Sequence, residues 1–359
     1  MSSMFPFEAE ARAAIGDDLY RYLLGRAVDG GAEDANEAAL RRFCLLPRLM
    51  ADVQSVDLGS RILGLDVAAP IIVGAFAGDR LFHPDGLIAV ARACHRLRLP
   101  LVVSEETVTP LADVVVCHDQ VLLQLRAAGP VERVLALVKQ AGDAGARGIV
   151  LTVLAPTHPI QGLRPGGFDV GQALRDKIWT TIGSDRPGPE PLPAFPNWTS
   201  VEVAEVAAHV RERGLSLVLK GILRPGDVAP CEKAGANAVM VSNIGLRQSS
   251  RWLPAPFALP GVRAAASPET AVLVDGGIRH GSDILVAHLL GAHAAVVSRP
   301  VLSALAGGGE NGVESYLQGL IDATRAMTMW MGAGRIEDLA EDQLVMADGR
   351  TVVRGHYNG

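Results

Sequence analysis

Between Leu215 and Pro300 the chain carries four short apolar runs, LSLVLKGIL, NAVMVSNIGLRQ, TAVLVDGGIRHG and HAAVVSRPV, which begin at Leu215, Asn237, Thr270 and His293. Runs of Val, Ile, Leu and Ala without alternation suit parallel strands buried on both faces. Their starts recur at intervals of roughly 20 to 35 residues, the length of a strand, a loop, a helix and a return loop in a (β/α)8 barrel. Each run ends in small, polar or charged residues, which such a barrel gathers at the C-terminal ends of its strands, on the catalytic rim. The expected fold class is therefore α/β, a (β/α)8 barrel. Earlier strands are read at 69–77, 99–106, 121–125 and 148–156.

The 359 residues are 49% hydrophobic, enough for one large core, so a single domain over 1–359 is expected. A net charge of -6 gives no electrostatic case for nucleic acid, and no apolar run has the length of a bilayer span. The N-terminus lacks a basic start followed by an apolar core, so a cytoplasmic location is expected. Cys44, Cys94, Cys117 and Cys231 show no CxxC spacing and read as free thiols; no metal site is read from the sequence.

In chain order, Glu8 to Leu24 reads as an amphipathic helix and 32–43 as a second, both forming an N-terminal cap over 1–68. The segment 157–199 is too long for an ordinary connection and reads as a lid loop, a binding loop or a disordered segment. Thr199 and Glu202 form a capping box for the helix that follows. Near the C-terminus a Gly-rich turn precedes a helix carrying Met327, Met329, Trp330 and Met331, which read as core or subunit contact.

Lys220, SNxGxRQ at Ser242 to Gln248, DGGIRHG at Asp275 to Gly281 and SRP at Ser298 to Pro300 together resemble the FMN-dependent α-hydroxy acid oxidase and dehydrogenase family. The resemblance extends over nearly the whole chain, including HPDG at His83 to Gly86. It implies FMN as cofactor and a homo-oligomer, a tetramer in the family. It places Ala75, Phe76, Ala77, Ser104, Gln124, Thr152, Lys220, Ser242, Asp275, Gly276, Gly277, Arg279, Ser298 and Arg299 around FMN, with Gln124 reading the pyrimidine edge. The residue chemistry agrees. A buried lysine needs an anionic partner, and one beside flavin N1 favours the reduced cofactor. Asp275 can hold ribityl hydroxyls, while Arg279, Ser298 and Arg299 can cradle a phosphate at the loops after strands seven and eight.

The substrate side departs from the family. Its catalytic base is the histidine of SNHGxRQ, and here that position is Ile244; the aspartate that orients it is Leu154. One family tyrosine precedes a small-Gly-Ala triplet, matched here to Gly30, Gly31 and Ala32 with no tyrosine before it; Tyr22 either reaches in from elsewhere or, the plainer reading, is a packed or surface residue. The second substrate tyrosine is Arg126. The arginine of the lid falls on Gln161, with Arg164 as a substitute if the loop is reshaped. Glu105 can serve as a general base, although a solvated or capping carboxylate is the plainer reading. Arg247 survives and suits a carboxylate, or pairs with a rim carboxylate.

These residues point to an FMN oxidoreductase acting on a small anionic molecule whose oxidation needs no imidazole base, with Lys220 and Arg247 in the reaction. Two alternatives stay open. One is a hydroxy acid oxidase whose base has moved to His158; the other is a flavin-binding protein without redox turnover.

Overall fold

A computed structural model describes residues 5–25, 34–155 and 198–350, with the strand pair Ile178–Trp179 and Arg186–Pro187. Eight parallel strands close a barrel: β1 (Ile71–Gly74), β2 (Leu101–Ser104), β3 (Val121–Arg126), β4 (Gly148–Thr152), β5 (Ser216–Ile222), β6 (Ala238–Ser242), β7 (Ala271–Asp275) and β8 (Ala294–Val297). They pair in chain order, and β8 returns to β1. Most are shorter than the apolar runs that announce them, because the polar end of each run leaves the ladder for the rim.

The lack of alternation in the runs has a direct cause. Ile72, Val102, Leu122, Val150, Val218 and Leu273 fill the barrel interior, while their neighbours Ile71, Val73, Leu101, Leu123 and Val272 pack under the outer helices. Each such side chain contributes about 1.5–3 kcal/mol on burial. At the N-terminal end of the barrel a hairpin, Ser60–Ile62 with Leu65–Val67, sends Ile62 and Val67 into the same interior cluster. The opposite end is left for the polar strand ends.

Helix α1 (Glu8–Leu24) spans the expected residues and bends at Gly16. Helix α2 is shorter than expected, Ala35–Leu40. Asp34 caps it by accepting from the amides of Asn36 and Glu37, and it ends because Phe43–Leu45 pairs antiparallel with Leu344–Met346. Helices α3 (Gly86–Leu97) and α4 (Leu111–Cys117) follow β1 and β2. The capping box of Thr199 and Glu202 opens Ser200–Glu212 as read from sequence.

The Gly-rich turn expected near the C-terminus is present as a break at Gly309, whose φ 58 and ψ -146 are non-helical, within helix α5 (Arg299–Trp330). A Cβ on Gly307 would lie 2.6 Å from Phe7 Cβ, so the glycines admit the N-terminal segment against α5. Met331 is buried and Trp330 is exposed. Among the described residues, no helix is long and apolar enough to cross a membrane.

Candidate active site at the C-terminal rim

Register places the polar strand ends side by side: Ser104 opposite Gln124, Arg126 and Lys220 each opposite Thr152, and Ser242 opposite Asp275. Ser104 Oγ donates to Gln124 Oε1 at 3.0 Å, and Gln124 Nε2 donates to Thr152 Oγ1 at 3.0 Å. This chain fixes the carboxamide and leaves it one further donor and acceptor, the pair that reads an imide edge. Beyond β1, Ala75 and Ala77 are half-buried, but the Phe76 side chain packs in the core. The Ser298 hydroxyl donates to Gly74 O at 2.9 Å.

Lys220 is buried and finds its anion within the rim, with Nζ 2.7 Å from Asp275 Oδ2. Ser242 Oγ donates to the same oxygen at 2.8 Å. The anionic partner that a buried lysine needs is therefore itself a residue assigned to the cofactor. Gly221, next to Lys220, has φ 106, and a Cβ there would lie 2.4 Å from Leu154 Cβ. Only glycine lets the β4 segment carrying Leu154 approach this closely.

Arg279 and Arg299 converge on a residue that no sequence motif marks, Asp34. Asp34 Oδ2 accepts from Arg279 Nη2 at 2.7 Å and from Arg299 Nη2 at 2.6 Å. Desolvation opposes ionisation of Asp34, yet Arg299 and Arg279 outweigh it and hold the carboxyl below its ordinary range. Arg279 Nε is buried without a hydrogen-bond partner among the described residues. Asn36 is fully buried and exchanges two amide bonds with Asn243, at 2.9 and 2.7 Å. It also lies on Gly276 and Gly277, where a Cβ would meet it at 2.6 and 2.7 Å. The DGG glycines thus admit the cap as well as any backbone amides they offer. A short helix in a polar segment gave no signal of this, since its partners lie more than 200 residues away.

On the substrate side, Arg247 Nη1 donates to Tyr22 O at 3.0 Å, and its guanidinium carbon lies 4.4 Å from the Tyr22 ring centre. Tyr22 is packed against the core, one of the readings expected of it, and is also a neighbour of Arg247. The legible signal was its spacing from Gly25, the left-handed residue that ends α1 and faces both Arg247 and Arg299. Burial raises the Tyr22 phenol, with Arg247 acting against it, so it stays a donor at neutral pH. Among the described residues no carboxylate pairs with Arg247, against the alternative of a rim ion pair.

Glu105 is neither solvated nor a helix cap. Its carboxylate is buried between Arg126, at 2.9 Å, and Arg133, at 2.8 Å. Burial alone raises its pKa, but Arg126 and Arg133 outweigh that and lower it, which removes it as a base near neutrality. Arg126 also reaches Glu106 at 3.2 Å, so its charge is matched by its neighbours. Ile244 is half-buried with φ 48, a left-handed conformation that a β-branched residue rarely adopts. His158, Gln161, Arg164 and the Gly30, Gly31, Ala32 triplet lie outside the described residues.

The rim suits FMN on its own features: a buried lysine at one end, an ordered carboxamide, and two arginines with a donor to spare at the other. Comparison with known proteins agrees. Residues 11–346 match the family model described as FMN-dependent dehydrogenase. The chain is 35% identical to a 4-hydroxymandelate oxidase of Amycolatopsis orientalis, over 90% of this chain and 92% of that protein. It is 27% identical to a pre-mycofactocin synthase of Mycolicibacterium smegmatis, over 97% and 94%. A crystal structure of a mandelate oxidase mutant with an FMN adduct superposes with a TM-score of 0.83 at 32% identity, covering 95% of this chain and 99% of that one. The chain belongs to the FMN-dependent dehydrogenase family, a barrel oxidoreductase with FMN as its cofactor.

Proposed function

We propose that this oxidoreductase acts on a small anionic organic molecule whose oxidation needs no imidazole base, such as a neutral amine, an enol or a preformed carbanion. The observation that carries the reading is Ile244 at the position of the family's base, with Leu154 at that of its aspartate partner. An alcohol's proton leaves only to a base, because its pKa lies far above neutrality. Neither aliphatic side chain can take it, and Glu105 is held ionised by two arginines.

Bound FMN supplies the two-electron acceptor. Lys220, Asp275, Ser242, Gln124, Ser104 and Thr152 hold its ring and ribityl chain, with Gly276 and Gly277 beside them. Arg279, Arg299 and the Ser298 end of α5 hold its phosphate. Arg247 clamps the substrate's carboxylate, and the protonated Tyr22 phenol donates to the same group. Arg126 borders the pocket as a charge already balanced by Glu105 and Glu106. Gln161 or Arg164 contributes from the lid. A biosynthetic setting fits a family that includes a relative named as a synthase. An assembly of identical subunits in the cytoplasm is part of the same reading.

The test is anaerobic bleaching of the flavin in a substrate screen. Glycolate, lactate and mandelate leave it oxidised, and an amine or related anion from the panel reduces it. Rapid bleaching by any hydroxy acid overturns the reading and moves the base to His158, which a His158→Ala variant then checks.

A further inference from the structure

The N-terminal face of the barrel, opposite the rim, carries a group of side chains that the reaction does not use. His95 lies in the last turn of α3, His118 ends α4, and Asp119 leads into β3. One ligand atom from each comes within 4.8 Å of the others. Asp119 Oδ1 stands 3.8 Å from His118 Nδ1 and 4.0 Å from His95 Nδ1. The two imidazoles meet edge to face at 5.9 Å.

His118 is the informative member. It is only 2% exposed, and its Nε2 lies 2.9 Å from Leu99 O. A carbonyl can only accept, so Nε2 carries the proton and Nδ1 presents a lone pair. That Nδ1 is buried without a hydrogen-bond partner among the described residues. A neutral imidazole with its far N–H on a backbone carbonyl is how proteins orient a metal-binding histidine. Arg147 Nε donates to the Asp119 carbonyl and leaves the Asp119 carboxylate without that bond.

We propose that His95, His118 and Asp119 bind a divalent cation of borderline softness, zinc in the first instance. Two imidazole nitrogens and one carboxylate oxygen are the donor set such ions prefer, with water completing a tetrahedron. Ligand atoms around a tetrahedral zinc lie about 3.3 Å apart, given bonds of about 2.0–2.1 Å. The triangle is wider than this, and it closes by rotating the exposed His95 and Asp119 side chains onto the fixed His118. The ion staples the end of α3 to the α4–β3 connection. Its place at the far end of the barrel makes it a structural site, outside the redox chemistry.

The test titrates zinc chloride alone into the FMN-loaded full chain after dialysis against a chelator, with calorimetric and thermal-melt readouts. Wild type takes up one equivalent and melts at a higher temperature with zinc. His95→Ala and Asp119→Asn, both at exposed positions, each weaken binding at least about tenfold and abolish the melting shift. His118→Ala is avoided because the residue is buried. Absence of saturable uptake overturns the proposal, and so does uptake that either variant leaves unchanged.

Discussion

Asp34 is the residue whose replacement discriminates best between a cap that merely covers the barrel and one built into the cofactor site. Asp34→Asn keeps the helix cap, since asparagine caps as well as aspartate. It removes one negative charge from between two buried guanidiniums, at 2.7 and 2.6 Å. The Asp34 side chain is 8% exposed and those of Arg279 and Arg299 are 5% and 12%, so solvent screening is slight. Breaking such a pair costs about 3–5 kcal/mol, with Arg299 the cation left most exposed to the loss because Glu37 Oε2 stays 3.7 Å from Arg279 Nε.

The cofactor-free variant therefore unfolds at clearly lower denaturant than wild type. FMN then stabilises the variant more than it stabilises wild type, because its phosphate supplies the lost charge and no longer meets Asp34. A recovery of about 1.4 kcal/mol corresponds to roughly tenfold tighter FMN binding. Riboflavin, which has no phosphate, stabilises both proteins equally. The sign with pH follows from the depressed carboxyl. Its stabilisation is complete above the ordinary carboxylate range and is lost as pH falls through the lower folded value, an acid limb absent from Asp34→Asn. An unfolding loss below about 1 kcal/mol, or an FMN increment smaller in the variant than in wild type, refutes the reasoning.

Two further outcomes are expected. Lys220→Met strands the buried Asp275 carboxylate and weakens FMN; adding Asp275→Asn restores stability in denaturant melts but not FMN affinity, measured by flavin fluorescence, and recovery of both makes the pair purely structural. Ile244→His alone does not give rapid flavin reduction by lactate or mandelate, because Leu154 cannot orient the imidazole, whereas adding Leu154→Asp recovers more than either change in stopped-flow traces. Fast reduction by the single variant would show the hydroxy acid site otherwise intact.

The barrel was legible because burial on both faces writes itself into a strand as an unbroken apolar run, and a parallel connection enforces its spacing. The strand-end residues were legible for the same reason: a lysine or aspartate closing such a run has only the rim to occupy. Ile244 and Leu154 stand out only against the family resemblance, which implies a histidine and an aspartate at their positions. What the sequence left undetermined depends on contacts between distant segments. Asp34 and Asn36 look like ordinary residues of a short polar helix until the cap lies on Gly276 and Gly277. Glu105 exchanges one apparent role for another, and Tyr22 gains its polar neighbour, only when Arg126 and Arg247 come beside them. His95, His118 and Asp119 show no metal-ligand spacing, and the lone pair on His118 Nδ1 exists because Leu99 O, from another segment, takes the other nitrogen. Local sequence determines which residues are buried or polar, and tertiary packing decides which charges and lone pairs find a partner.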